Sequence, residues 1–215
     1  VMPTKSQQEL LKGLASRYHA ALQENPEAIA YLVGRGLSKE AVEYAQIGVI
    51  TTEYGPHESY AGWISIPYIV LSGGVVGWKF RRLHEGNPKY GSPAGQKSHL
   101  YNVRDLDVES DVLVICEGEF DTLIISQMLQ IPAVGCPGVA SWKEHFPRLV
   151  QGRERVLIVG DNDDKIDGSN PGQDFARRVA QEVPNAQIVQ LPSGMDITDC
   201  YLAEGPEKLR ERLAL

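Results

Sequence analysis

The sequence is poor in the features that would mark a secreted, stapled or membrane-embedded protein. It has three cysteines in 215 residues, Cys116, Cys136 and Cys200, odd in number and widely spaced. They match neither a disulfide framework nor a zinc ribbon, so a reducing, cytoplasmic setting is expected. No apolar run approaches the roughly 18–20 residues needed to cross a bilayer, and the first residues hold no apolar signal core. No membrane partner is expected. Internal repeats and low-complexity tracts are also lacking. What is there is ordinary for a folded protein: 42% hydrophobic and 23% charged residues exclude wholesale disorder. The length suits one large domain or two small ones, at about 100–200 residues each.

The net charge of −7 is an average over two unlike halves. Residues 1–105 hold 11 Lys+Arg and 9 Asp+Glu, for +2, and residues 106–215 hold 10 and 19, for −9. Within 75–104, six basic residues (Lys79, Arg81, Arg82, Lys89, Lys97, Arg104) stand against one acid, Glu85. A basic strip and an acidic half suggest an anionic ligand on one side and metal ions on the other. The two are expected to face each other across a cleft, with the domain boundary near residue 105. That gives a first domain at 1–105 and a second at 106–215.

Apolar spacing predicts a helix over 6–24, a second opened by Pro26, and a third capped by Ser38. Gly62–Leu71 and Val75–Leu83, around Ser72-Gly73-Gly74, read as a β-hairpin. Residues 84–99 read as a loop. Beyond residue 110 the chain alternates buried strands (Val112–Cys116, Ala133–Val134, Val156–Val159, Ala186–Leu191) with helices. That alternation calls for a parallel sheet covered on both faces.

The acids of the second half follow those strands. Glu117-Gly118-Glu119-Phe120-Asp121 follows the first, Gly160-Asp161-Asn162-Asp163-Asp164 the third, and Gly194-Met195-Asp196-Ile197-Thr198-Asp199 the last. Ligands of open α/β sheets bind beyond the carboxyl ends of the strands, so the three loops can converge. Oxygen-only ligands of this type suit Mg²⁺ or Mn²⁺. Singly, each has a plainer reading: turn aspartates facing water, or, for Asp196 and Asp199, acids that open a helix.

The order of an apolar strand, Glu117-Gly118-x-x-Asp121, a strand, Asp161-x-Asp163, a strand and Gly194-x-Asp196 resembles the Toprim domain of topoisomerases, primases and some nucleases. The resemblance implies an α/β fold, a Rossmann-like parallel-sheet domain preceded here by a smaller mixed α+β subdomain. It also implies metal-holding and catalytic roles for Glu117, Asp161 and Asp163, with Asp121 and Asp196 supporting. Ala28–Ile50 (AIAYLVGRGLSKEAVEYAQIGVI), Ile64–Leu83, Asn87–Ser92 (NPKYGS) and Gln96–Tyr101 (QKSHLY) are similar, in that order, to the RNA-polymerase core of DnaG-type primases. This implies metal-dependent synthesis of short RNA primers on single-stranded DNA from ribonucleoside triphosphates. Arg81, Lys89 and Tyr90 would then contact template or triphosphate. Lys79, Arg82 and Lys97 qualify as phosphate contacts by charge, and Trp78, Phe80 or Tyr90 could stack on bases. Alternation puts Trp78 and Phe80 on one strand face, which favours a core role for both.

Three departures stand out. Glu-Gly-Glu-Phe-Asp replaces the family's Glu-Gly-Tyr-x-Asp and is closer to phage helicase-primases. A stretch at about Lys165–Pro171 is extra, and Thr198 replaces the second aspartate of the third loop, which makes Asp199 a poor ligand candidate. The chain, without a Cys/His zinc ribbon, Walker A motif or helicase domain, reads as a catalytic core, excised or naturally minimal and of phage type. A zinc-binding module or replicative helicase is expected to be supplied elsewhere. The alternatives are a Toprim nuclease and a non-catalytic nucleic-acid-binding module.

Overall fold

Thr4 opens the first helix. Its hydroxyl accepts from the Gln7 backbone while the Gln7 side chain returns to the Thr4 backbone, a reciprocal cap on α1 (Lys5–Gln23). Ala15, Tyr18 and Leu22 recur at helical spacing and are its buried stripe. Asn25 caps α2 (Pro26–Gly34), which has proline in its first turn, and Ser38 caps α3 (Lys39–Ala45). The chain is seen here in a computed structural model that describes residues 3–51, 56–136, 141–163 and 167–215.

These helices accompany an antiparallel sheet of β1 (Gly48–Val49), β2 (Ile64–Ile69), β3 (Val75–Arg81) and β4 (Tyr90–Gly91), in that order. The expected hairpin is β2–β3, with Gly73 in its turn at φ +78°, where a side chain would be strained. Strand β4 lies inside the segment read as loop. Arg81 pairs with Tyr90 there, so a two-residue strand brings the Pro-Lys-Tyr turn back to the hairpin. Strands this short carry no periodicity a sequence can display. Trp78 and Phe80 are buried, and they pack with Tyr18 and the buried His57, with His57 ring centroids 5.5 Å from Trp78 and 4.8 Å from Phe80.

The second unit runs β5 (Val112–Cys116), α4 (Glu119–Leu123), β6 (Ala133–Gly135), α5 (Phe146–Leu149), β7 (Arg155–Val159), α6 (Pro171–Glu182), β8 (Ala186–Ile188), α7 (Ile197–Glu204) and α8 (Pro206–Arg212). A π-helical turn, Ile124–Met128, continues α4. The four strands are all parallel in the order β6-β5-β7-β8. Leu113, Ile115, Val156 and Ile158 of the central pair pack with Trp142, Phe146 and Phe175. All three cysteines are buried. Burial pushes the Cys116 thiol up and that of Cys136 up to about 12, so both are core residues, not nucleophiles.

The chain divides into its two compact units between Lys97 and Ser98. This is earlier than the 105/106 boundary read from the charge change. The reason is local: Tyr101 exchanges backbone hydrogen bonds with Gly135 at 2.7 and 3.1 Å. Asp105 accepts from the Ala133 backbone at 2.9 Å, and Asn102 donates to the Ala133 carbonyl at 3.0 Å. Residues 98–105 thus cover the β6 edge of the second unit.

Candidate active site

The carboxyl ends of β5 and β7 are adjacent because the strands pair from Val112 with Arg155 through Cys116 with Val159. Glu117 and Asp161 therefore emerge side by side. The Glu117 Oε2 accepts from the Asp161 backbone N–H at 3.2 Å. Gly172, in the first turn of α6, presses against both: a Cβ there would lie 2.2 Å from the Asp161 carbonyl oxygen and 2.7 Å from Glu117 Oε2. Only glycine fits.

Asp161 is the electrostatic centre. Burial, then the charges of Asp121, Glu117, Asp196 and Asp163, push its carboxyl up to about 8. The other four acids singled out in the sequence are therefore brought within the field of Asp161. Their individual postures differ. Asp163 is exposed, whereas Asp121 is buried and accepts through Oδ1 from the Thr198 backbone (3.0 Å) and hydroxyl (2.7 Å). Asp196 caps α7, its Oδ1 accepting from Asp199 N at 2.6 Å, and Asp199 answers in a reciprocal cap. The helix-opening reading of that pair is thus correct. Among the described residues, no three His, Cys, Asp or Glu side chains are arranged to hold a metal ion as they stand. Asp164 lies outside the described residues, as do Lys165 and Ile166 at the start of the extra stretch.

Asn162, between the two aspartates, went unremarked in the sequence. It is buried; its amide donates to the Leu191 carbonyl at 2.6 Å, and its Oδ1 accepts from Asn170 at 2.9 Å. Its backbone N–H donates to Met195 O, and its carbonyl accepts from Gly194 N. Gln173 adds donation to the carbonyls of Gly160 (3.4 Å) and Asp161 (3.3 Å). Asparagines in turns usually satisfy only their own backbone, so the sequence offered no signal for this clamp.

A second group of candidates lies in the first unit. Arg81 is buried; its Nε donates to the Tyr31 hydroxyl and its Nη1 to the Tyr90 hydroxyl. Its guanidinium carbon lies 5.5 Å from the Tyr31 ring centroid and 4.9 Å from that of Tyr90. Lys79 and Lys89 stand 5.3 and 5.9 Å from the same Tyr90 ring. Arg82 packs over Trp63 at 4.4 Å and donates to the Pro88 carbonyl at 3.1 Å, which fixes the base of the turn. Lys97 is exposed at the end of the unit. Of the aromatic residues considered for base stacking, only Tyr90 is exposed; Trp78 and Phe80 are core.

The Toprim domain model matches residues 112–207. The gene 57 protein of Mycobacterium phage D29 is 38% identical over 158 residues, covering 72% of this chain and 99% of its own length. The DNA primase of Pseudomonas aeruginosa is 25% identical over 95% of the chain. The chain belongs to the DnaG-type primase core family. It spans 37% of the length of that bacterial primase. The fold agrees with a solved DnaG primase catalytic domain bound to single-stranded DNA, at a TM-score of 0.77 and 22% identity over 96% of this chain and 80% of that one. Toprim primases are metal-dependent as a class. The chemistry of these acids fits such an ion: hard oxygen donors act on the partly buried Asp161, whose carboxyl is raised by burial and then by their charges, and an added cation would offset both. Among the described residues, no helix is long and apolar enough to cross a membrane.

Proposed function

We propose that this chain synthesises short RNA primers on single-stranded DNA from ribonucleoside triphosphates, using Mg²⁺ or Mn²⁺. In the reaction a 3′-hydroxyl attacks the α-phosphorus, the new O–P bond forms, and pyrophosphate departs. Glu117, Asp161 and Asp163 would hold the metal, with Asp121 and Asp196 supporting. When bound, the metal supplies Lewis-acid stabilisation of charge on the attacking and leaving oxygens.

The chain's own residues do the rest. Asn162 and Gln173 hold the Asp161 loop in place, and Gly172 lets the start of α6 come close to both acids. Arg81, Lys89, Lys79, Arg82 and Lys97 bind phosphates of template or triphosphate, and Tyr90 offers its exposed ring to a base. Phosphoryl transfer is mostly positioning and electrostatics, so both sets are needed. A replicative helicase and a zinc-binding module act with this core, in the cytoplasm (the host's, where the gene is a phage's).

One observation carries this reading: the carboxylates gathered around Asp161 in a Toprim domain. The test is incubation with single-stranded DNA, labelled ribonucleotides and Mg²⁺ or Mn²⁺, with extension of a preformed primer in parallel. Ribonucleotide addition that disappears in Asp161→Ala and Glu117→Gln supports it. Degradation of the DNA with no addition would assign the site to a nuclease instead.

A further inference from the structure

Arg81 sits on β3, yet its guanidinium is reached from α2 across 50 residues of sequence by the Tyr31 hydroxyl. The Tyr90 hydroxyl takes a second guanidinium N–H, so two phenols hold two edges of one cation. An arginine has five donors in a fixed plane, and occupying some of them dictates where the others point. Both rings also lie within cation–π range, at 5.5 and 4.9 Å, which limits rotation about the long side chain. Arg81 is 6% exposed. A buried guanidinium that must still meet a phosphate is useful only if it is already oriented, because the ligand cannot pull it into place cheaply.

Tyr31 itself is only half-buried on a short helix whose buried residues are Ala28 and Leu32. We infer that Tyr31 is a positioning residue that acts through Arg81, fixing the guanidinium for a phosphate of the template strand or the incoming triphosphate. This rests on the proposed role of Arg81. Tyr90 shares the task from the exposed side. Tyr31 differs in that it works from a separate helix, outside the hairpin and its Pro-Lys-Tyr turn.

Tyr31→Phe keeps the ring and the cation–π contact and removes only the hydroxyl, so the fold is preserved. The experiment is a double-mutant cycle on the full chain: wild type, Tyr31→Phe, Arg81→Ala and the double variant. Two quantities are read: binding of fluorescein-labelled single-stranded DNA by anisotropy without metal, and KM and kcat for ribonucleotide in primer extension. Arg81→Ala is expected to weaken DNA binding or raise KM by about tenfold or more, and Tyr31→Phe the same quantity by about fivefold. In the Arg81→Ala background, Tyr31→Phe should change nothing, and kcat should stay within about twofold for Tyr31→Phe.

The failures are separable. If Arg81→Ala moves neither quantity, the role of Arg81 is wrong and the inference falls with it. If Arg81→Ala weakens binding and Tyr31→Phe does not, Arg81 keeps its role and Tyr31 has none. Equal effects of Tyr31→Phe with and without Arg81 would show that Tyr31 acts independently, which also overturns the inference.

Discussion

Glu117 reaches from the end of β5 to accept the backbone N–H of Asp161 at the end of β7, 3.2 Å away. That one bond joins the two acidic loops on the central strand pair. It also places two negative side chains where they repel, which a protein tolerates at a site whose function requires it.

The cost of burying Asp161 among other carboxylates is measurable. In the metal-free protein the Asp161 carboxyl is raised to about 8, from an ordinary value of 3.8. A group raised in the folded state stabilises fully below its unfolded value, and that contribution is lost as pH rises through its folded value. The metal-free protein should therefore lose thermal stability between about pH 4 and 8 through this group. Asp161→Asn should melt several degrees higher than wild type at pH 8.5 in chelator. Added Mg²⁺ should raise the midpoint of wild type but not of the variant. Scanning calorimetry with and without Mg²⁺ checks both.

Asn162→Ala should be costly although it removes no carboxylate. It removes one hydrogen bond from the Leu191 carbonyl and one from the Asn170 amide. The expected loss is about 1–3 kcal/mol, lowering the melting midpoint by roughly 3–10 °C. Mn²⁺ affinity, followed by electron paramagnetic resonance, should fall with it because the Asp161–Asp163 loop loses its clamp. A stable variant with unchanged Mn²⁺ affinity would remove Asn162 from the site.

Acid should loosen the first unit through His57. Burial among Tyr18, Trp78 and Phe80 holds its pKa below the usual 6.5. A lowered value means the contribution is complete above about pH 6.5 and is lost as pH falls towards the folded value. His57→Gln should flatten the fall in denaturant midpoint between pH 7 and 5. Tryptophan fluorescence, with Trp78 alongside, reports the transition.

Lys89 stands beside Tyr90 on the exposed turn. If it contacts a phosphate of single-stranded DNA, Lys89→Ala should reduce the slope of log affinity against log salt by about 0.7. Anisotropy titrations from low to moderate salt give that slope directly. An unchanged slope would exclude Lys89 as a phosphate contact.

Much of this architecture is legible in the sequence. The strongly apolar β5 and β7 announced a buried parallel sheet, and Thr4, Pro26 and Ser38 announced helix starts, because these signals are local. The acids were legible through their position after strands. Their supports were not. Asn162, Gln173 and Thr198 act through contacts distant in sequence, and Tyr31 is separated from Arg81 by 50 positions, a distance no periodicity spans. The boundary was misplaced for the same reason: residues 98–105 look like the end of a basic strip but pair with the edge strand β6. Charge composition changes at one point and packing at another.

The central claim, that the carboxylates around Asp161 serve ribonucleotide polymerisation, is tested most directly by extension of a preformed primer on single-stranded DNA with labelled ribonucleotide. Wild type should add ribonucleotides in Mg²⁺ or Mn²⁺, and Asp161→Ala should lose at least about a thousandfold of that rate while still binding the DNA. Wild-type extension undiminished in Asp161→Ala would contradict the account.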